Sequence, residues 1–214
     1  MATPESFFYS MARNLVSCVF DTVYRMETHG ASGVPRRGPF IIAVNHASLL
    51  DPPVVGFAVP RPLYFMARRT LFKSRGARWL FPKLNGIPID REGADTGALK
   101  KALTVLRRGD GLLFFPEGTR TRDGNLNAAK PGIGMVACRT RAPVVPTRIF
   151  GTYDAWGTHT RVPLFVSEFT VVFGRPLSVD QYDPGKGCKD RYQIAADRIM
   201  GAIGDLSLPV ETAT

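Results

Sequence analysis

The chain has 214 residues, 44% of them hydrophobic and 21% charged, close to the averages of folded proteins, which excludes wholesale disorder and collagen-like or disulfide-scaffold classes. Its three cysteines, Cys18, Cys138 and Cys188, form no CxxC pair; they supply neither a disulfide framework nor a zinc-site spacing and suit a reducing compartment. Lys and Arg number 28 against 18 Asp and Glu, a net charge of +10, which points to anionic partners such as nucleic acid, anionic lipid, a phosphorylated substrate or an acidic carrier protein. That excess is concentrated between Arg61 and Arg122, where 14 basic residues stand against five acidic ones.

In the first 30 residues Phe7, Phe8, Met11, Leu15, Val19, Phe20 and Val23 recur at helical spacing. They predict an amphipathic helix over 7–26 that either docks on the protein's own core or lies on a membrane. Glu5, Arg13 and Asp21 deny this segment the basic start and unbroken apolar core of a secretory signal. No run approaches the roughly 20 apolar residues that span a bilayer. Residues 31–214 read as one domain. After a Gly/Pro-rich connector, Phe40-Ile41-Ile42-Ala43-Val44 is short, continuous and β-branched, the pattern of a buried strand. Residues 63–66, 111–115, 144–150 and 169–173 read as strands too, as does a short apolar run before Arg91. Helical patterns cover 70–81, ending near Pro82, then 94–107, ending at Gly109, and finally about 189–206. Strands alternating with helices predict an α/β domain, its sheet mixed but mostly parallel and flanked by helices.

Chemistry concentrates where strands end. Asn45-His46-Ala47-Ser48-Leu49-Leu50-Asp51-Pro52 follows the first strand. His46 and Asp51 would lie about 140° apart on a continuous helix and on opposite faces of a strand, so only a turn brings them together. Asp51-Pro52 resembles a helix N-cap followed by proline, which places that turn. A neutral imidazole oriented by a carboxylate accepts a proton through its other nitrogen, the chemistry that activates a hydroxyl. The pair alone is a common coincidence. A second segment, Phe115-Pro116-Glu117-Gly118-Thr119-Arg120-Thr121-Arg122, runs from a buried strand into glycine and two arginines; guanidinium groups hold phosphate through paired hydrogen bonds. A third, Gly86-Ile87-Pro88-Ile89-Asp90-Arg91, again ends in an arginine, and a fourth is Val144-Val145-Pro146.

Together and in this order the four segments resemble the motifs of the glycerolipid acyltransferase family, the group of 1-acylglycerol-3-phosphate acyltransferases. Asn45 to Asp51 is similar to its first motif and Phe115 to Arg120 to its third, residue for residue. The Gly86 to Arg91 segment is a compact variant of the second, with Ile89 at the position before Asp90, and the fourth is loosely defined. The resemblance covers about Val34 to Phe173. It implies transfer of a fatty acyl group from acyl-CoA or acyl-acyl carrier protein to the hydroxyl of lysophosphatidic acid, without cofactor or metal, in phospholipid biosynthesis. Glycerol 3-phosphate, another lysolipid or an aminolipid stand as alternative acceptors, and a non-catalytic basic lipid- or nucleic-acid-binding protein as the alternative class. His46 is then the general base and Asp51 its orienting carboxylate. Arg91 and Arg120 hold the acceptor's phosphate, and Glu117, Gly118 and Thr119 shape the pocket. Ser48 is grouped with the substrate-binding residues, through bonds to the loop backbone rather than as a nucleophile, and His29 and His159 receive no role. The expected partners are a membrane surface with anionic lipid, the acyl thioester and the lysophospholipid, and the expected location is the cytoplasmic membrane face, peripherally attached. Nucleic acid is not among the partners, because the aromatics lie in apolar runs instead of alternating with Lys/Arg as stacking platforms do.

Overall fold

The structure, a computed structural model, describes residues 9, 11, 14–15, 18, 20, 22–90, 96–164 and 168–209. Seven strands form one sheet: β1 (Arg25–His29), β2 (Phe40–Val44), β3 (Leu63–Arg68), β4 (Gly86–Ile89), β5 (Gly111–Phe114), β6 (Val144–Phe150) and β7 (Glu168–Phe173). They lie in the order β1-β7-β6-β2-β5-β3-β4, parallel throughout except between β6 and β7. The expected mixed, mostly parallel α/β sheet is what forms. β2 lies between β5 and β6, with Ile42 opposite Leu113 on one side and Val145 on the other. All five of its residues are fully buried, as a strand covered on both faces requires.

The alternation of side chains along β2 divides the core. Ile41 and Ala43 point to one face, which is covered by α3 (Thr96–Arg107), α4 (Pro131–Thr140) and α7 (Arg191–Gly204). Phe40, Ile42 and Val44 point to the other, under α1 (Asp51–Ala58) and the N-terminal segment. α4 and α7 cross at Gly134, where a Cβ would lie 1.9 Å from the Tyr192 carbonyl oxygen; only glycine lets the two helices approach so closely. From β2 the chain passes through α1 to β3 on one side, and from β5 through α4 to β6 on the other. The two connections therefore run in opposite directions over opposite faces of the sheet at β2 and β5, and ligands of open α/β sheets bind at the carboxyl ends of strands where the connections reverse direction.

Three local readings change. The helix expected over 7–26 gives way at Arg25 to β1, a polar edge strand parallel to β7. In the described part of that helix the buried side chains are Tyr9 and Phe20, followed by Tyr24, whereas Met11 and Leu15 of the expected apolar stripe are exposed. Tyr24 stacks on Phe169 with ring centroids 4.6 Å apart, and the Leu63 N–H donates to the Tyr9 hydroxyl. This segment thus docks on the protein through aromatic rings; Phe7, Phe8 and Val19 lie outside the described residues. The helix expected over 70–81 begins later, as α2 (Arg75–Lys83), because the Ser74 hydroxyl accepts from the Ala77 N–H and caps it; residues 69–72 form a separate 3-10 turn. Two short helices were not foreseen: α5 (Thr152–Trp156) and α6 (Val179–Tyr182), the latter held by a Ser178/Gln181 capping box. Among the described residues no helix is long and apolar enough to cross a membrane.

Candidate active site

Residues 45–50 leave the carboxyl end of β2, and hydrogen bonds from neighbouring elements determine their path. Asn45 pairs with Ile149 of β6 in both directions, its side-chain NH2 donating to the carbonyl and its Oδ1 accepting from the N–H. The His46 N–H donates to Glu117 Oε1 at 2.8 Å, and the His46 carbonyl accepts from the Thr121 N–H at 2.8 Å. The first motif is therefore clamped from both sides by the loop that follows β5.

The turn brings His46 and Asp51 together, with Nδ1 2.8 Å from Asp51 Oδ2. The same oxygen accepts from the N–H groups of Ala47 and Ser48, each at 2.7 Å, and Oδ1 accepts from the Thr152 hydroxyl at 2.7 Å. Asp51 is fully buried, and a buried carboxylate is tolerable only when its lone pairs are so matched. One expectation is corrected here. Asp51 is the first residue of α1, not its N-cap, and its carboxylate turns back onto the loop, which is what closes the turn.

His46 is 8% exposed, its ring stacked on Phe115 with centroids 4.0 Å apart. Because Nδ1–H donates to the carboxylate, Nε2 is the basic nitrogen, and His46 lines a cavity of about 990 Å³. Leu63, Phe65, Met66, Phe81 and Leu99 make its walls largely apolar, while Arg120 and Lys130 supply charge. An imidazole so held, at the side of an apolar chamber, is able to take a proton from a hydroxyl.

The other expected residues divide. Arg120 and Gly118 line the cavity, Gly118 at a φ of 69° that glycine adopts without strain. Glu117 is buried, and both of its oxygens are taken by protein donors: His46 N–H on one, and the Asn127 N–H and side-chain amide on the other. Ser48 is also fully buried, donating to the Trp156 carbonyl and accepting from the Leu50 N–H, so its hydroxyl braces the loop instead of facing substrate. Thr119 is exposed and is not part of the cavity lining. Arg91 lies outside the described residues. None of the three cysteines lines the cavity, and burial pushes the Cys138 thiol up to about 11, which keeps it protonated and unreactive at neutral pH.

Sequence spacing overlooked the segment after β6. Thr152 completes the shell of Asp51, the Tyr153 hydroxyl donates to the Arg122 carbonyl at 2.7 Å, and the Thr158 hydroxyl donates to the Thr121 carbonyl at 3.1 Å. His159, whose ring lies 4.6 Å from that of Tyr153, joins Arg120, Arg122 and Thr158 around a second, shallower recess of about 450 Å³. Arg120 lines both spaces, so a cationic recess adjoins the apolar chamber. Hydrogen bonds from Asn125 and Thr121 hold the exposed Asp123 carboxyl below the usual carboxylate range and pin the end of this loop. The only signal for these contacts was the run of polar residues after β6, which has no fixed spacing to the first motif.

Proteins of known activity resemble this chain in sequence and in fold. The chain is 26% identical over 200 residues to a 1-acyl-sn-glycerol-3-phosphate acyltransferase of Streptococcus pneumoniae, covering 92% of this chain and 72% of that protein. It is 25% identical over 176 residues to a chloroplast 1-acyl-sn-glycerol-3-phosphate acyltransferase of Brassica napus, covering 81% of this chain and 51% of that one. The chain thus spans about half the length of the plant chloroplast relatives it matches. A crystal structure described as the 1-acyl-sn-glycerophosphate (LPA) acyltransferase PlsC from Thermotoga maritima shares the fold, with a TM-score of 0.75 at 24% identity over 98% of this chain and 86% of that one. A model of the acyltransferase family matches residues 25–150, which take in both motif loops and six of the seven strands, and the chain belongs to that family.

Proposed function

We propose that this protein is a 1-acylglycerol-3-phosphate O-acyltransferase, moving a fatty acyl group from acyl-CoA or acyl-acyl carrier protein to lysophosphatidic acid in phospholipid biosynthesis. His46 Nε2 takes the proton of the acceptor hydroxyl as its oxygen attacks the thioester carbonyl. Collapse of the tetrahedral intermediate breaks the C–S bond, and the departing sulfur takes the proton back from the imidazolium. Asp51 holds Nδ1–H throughout and stabilises the transient positive charge. The acyl chain occupies the apolar chamber, whose volume is at the upper end of ligand pockets, and Arg120 with Arg122 and His159 receives the phosphate in the adjoining recess. Arg91 is proposed as a further phosphate ligand. No cofactor enters the reaction. The enzyme works attached to the cytoplasmic face of the membrane.

One observation carries this reading: the His46–Asp51 pair borders an apolar chamber that shares Arg120 with a cationic recess. A hydroxyl, an acyl chain and a phosphate are what such a site accommodates at once. Its test is acyl transfer by purified protein from both thioester donors to lysophosphatidate, glycerol 3-phosphate and neutral lysolipids. Lysophosphatidate is expected to be the preferred acceptor, and His46→Ala to lower turnover by about 10²- to 10⁴-fold, the usual contribution of a positioned base. Absence of product with every pair, or near-normal turnover in folded His46→Ala, defeats the reading.

A further inference from the structure

From Pro52 to Ile89 the chain carries seven Lys or Arg and no Asp or Glu. The carboxylates on either side are engaged: Asp51 in the site loop, and Asp90 with Arg69 Nε at 2.6 Å. Arg61 is tied to the carbonyls of Pro35, Gly38 and Gly109. The rest of the positive charge gathers around α2, where Lys73, Arg75, Arg78 and Lys83 are all exposed.

α2 itself contributes nothing to the core. None of its nine residues is buried, while Trp79 is 57% and Leu80 37% exposed, and Leu71 of the preceding turn is 46% exposed. Lys83 Nζ lies over the Trp79 ring, 3.8 Å from its centroid. An amphipathic helix is normally held by burying its apolar side chains; here Phe81 packs on Phe65 and Phe72, but Trp79 and Leu80 face water beside a ring of cations. Tryptophan with lysine and arginine around a short apolar patch is the composition that settles at a lipid headgroup boundary. The segment also reaches the chamber, since Thr70, Leu71, Phe81 and Leu84 line it.

We propose that α2 and the turn before it are the docking face for an anionic bilayer. Trp79 and Leu80 enter the acyl boundary, Lys73, Arg75 and Arg78 meet lipid phosphates, and the chamber opens directly onto the surface that supplies its substrates. An acidic carrier protein would satisfy the cations but leaves the exposed Trp79 and Leu80 unexplained. The proposal rests on the acyltransferase reading for its purpose, and its test is separate because binding is measured without turnover.

The full chain is sedimented with vesicles of phosphatidylcholine alone and of phosphatidylcholine mixed equally with phosphatidylglycerol. Binding is expected to the second and not the first, weakening as salt rises. A K73Q/R75Q/R78Q variant should bind the mixed vesicles on the order of 100-fold more weakly, at the usual contribution of a basic residue near an anionic surface. W79S/L80S should lose the interaction as well, and in a W156F background the Trp79 emission should shift to the blue on binding. Both surface variants should keep the circular dichroism spectrum and the thermal midpoint of the wild type, which shows that they fold. His46→Ala should bind vesicles like the wild type, so a failed assay of turnover leaves this inference standing. Binding by the variants equal to wild type overturns it. So does unchanged vesicle binding together with a raised KM for acyl-acyl carrier protein, which would reassign α2 to the carrier.

Discussion

Asp51 sits in the site loop with four donors on its two oxygens and no exposed surface. α2, another element bordering the same chamber, buries none of its residues and holds its cations and its tryptophan in water. The first arrangement suits chemistry, which needs one imidazole orientation held within a few tenths of an ångström. The second suits a partner with no fixed shape. A lipid surface presents charge and apolar depth but no defined contacts, so long side chains that adapt serve better there than a locked network.

This contrast breaks if the network is dispensable. Asp51→Asn is expected to have the largest effect, about 10³- to 10⁴-fold on turnover with the fold retained by circular dichroism, because an amide favours the wrong tautomer of His46. Thr152→Val removes only the donor to Oδ1, and kcat should fall about tenfold, the consequence of one unmatched polar group in a buried site. The acceptor KM should not change, and Thr152→Ser should restore the rate. An unaltered kcat in Thr152→Val would mean that Asp51 needs no partner on that oxygen.

A half-buried carboxylate outside the candidate site sharpens the comparison. Asp183 is held well below the usual carboxylate range, chiefly by hydrogen bonds from Arg191, whose Nε and Nη2 both donate to it. A depressed native value means that the pair stabilises the protein above the ordinary carboxylate value, near about 3.9, and that this stability disappears as pH falls below it. Asp183→Asn should therefore lower the thermal midpoint at neutral pH, flatten the acid limb of the stability profile and leave kcat of the folded enzyme unchanged. The smallest effect is expected on α2, where Arg78→Gln should alter stability by less than about 0.5 kcal/mol, as an exposed position distant from any network does. A larger loss in urea unfolding would show that α2 is held by the protein itself.

Local patterns made much of this molecule legible. Phe40–Val44 is uniformly apolar because both its faces are covered, so the strand and its place inside a parallel sheet were both written in five residues. The two motif loops lie where buried strands end, and their residue types were sufficient to pick out His46, Asp51 and Arg120; the structure pairs the first two and places His46 and Arg120 on one cavity. β1 was missed because an edge strand is half exposed, and Arg25, Glu27 and His29 give it no apolar alternation to detect. The polar ends of motif residues were harder to assign. Glu117 and Ser48 could have faced substrate or protein, and only the positions of Asn127, Trp156 and the His46 N–H decide for protein.

By itself the sequence indicated the buried strands, the longer helices, the mostly parallel sheet and the candidate His46–Asp51 pair, because each rests on residues within one strand, one helix or one motif. The tertiary structure alone decided what lies around them. Thr152 reaches Asp51 from 101 residues away, and Asn45 reaches Ile149 across 104; no periodicity encodes a contact between segments that meet only once the sheet has brought its carboxyl ends together. The same holds for His159, placed beside Arg120 by Tyr153, and for the choice of Tyr9, Phe20 and Tyr24 as the docked face of the N-terminal segment. Side-chain type decides what a residue is able to do, and only the packing of distant segments decides which of those abilities is used.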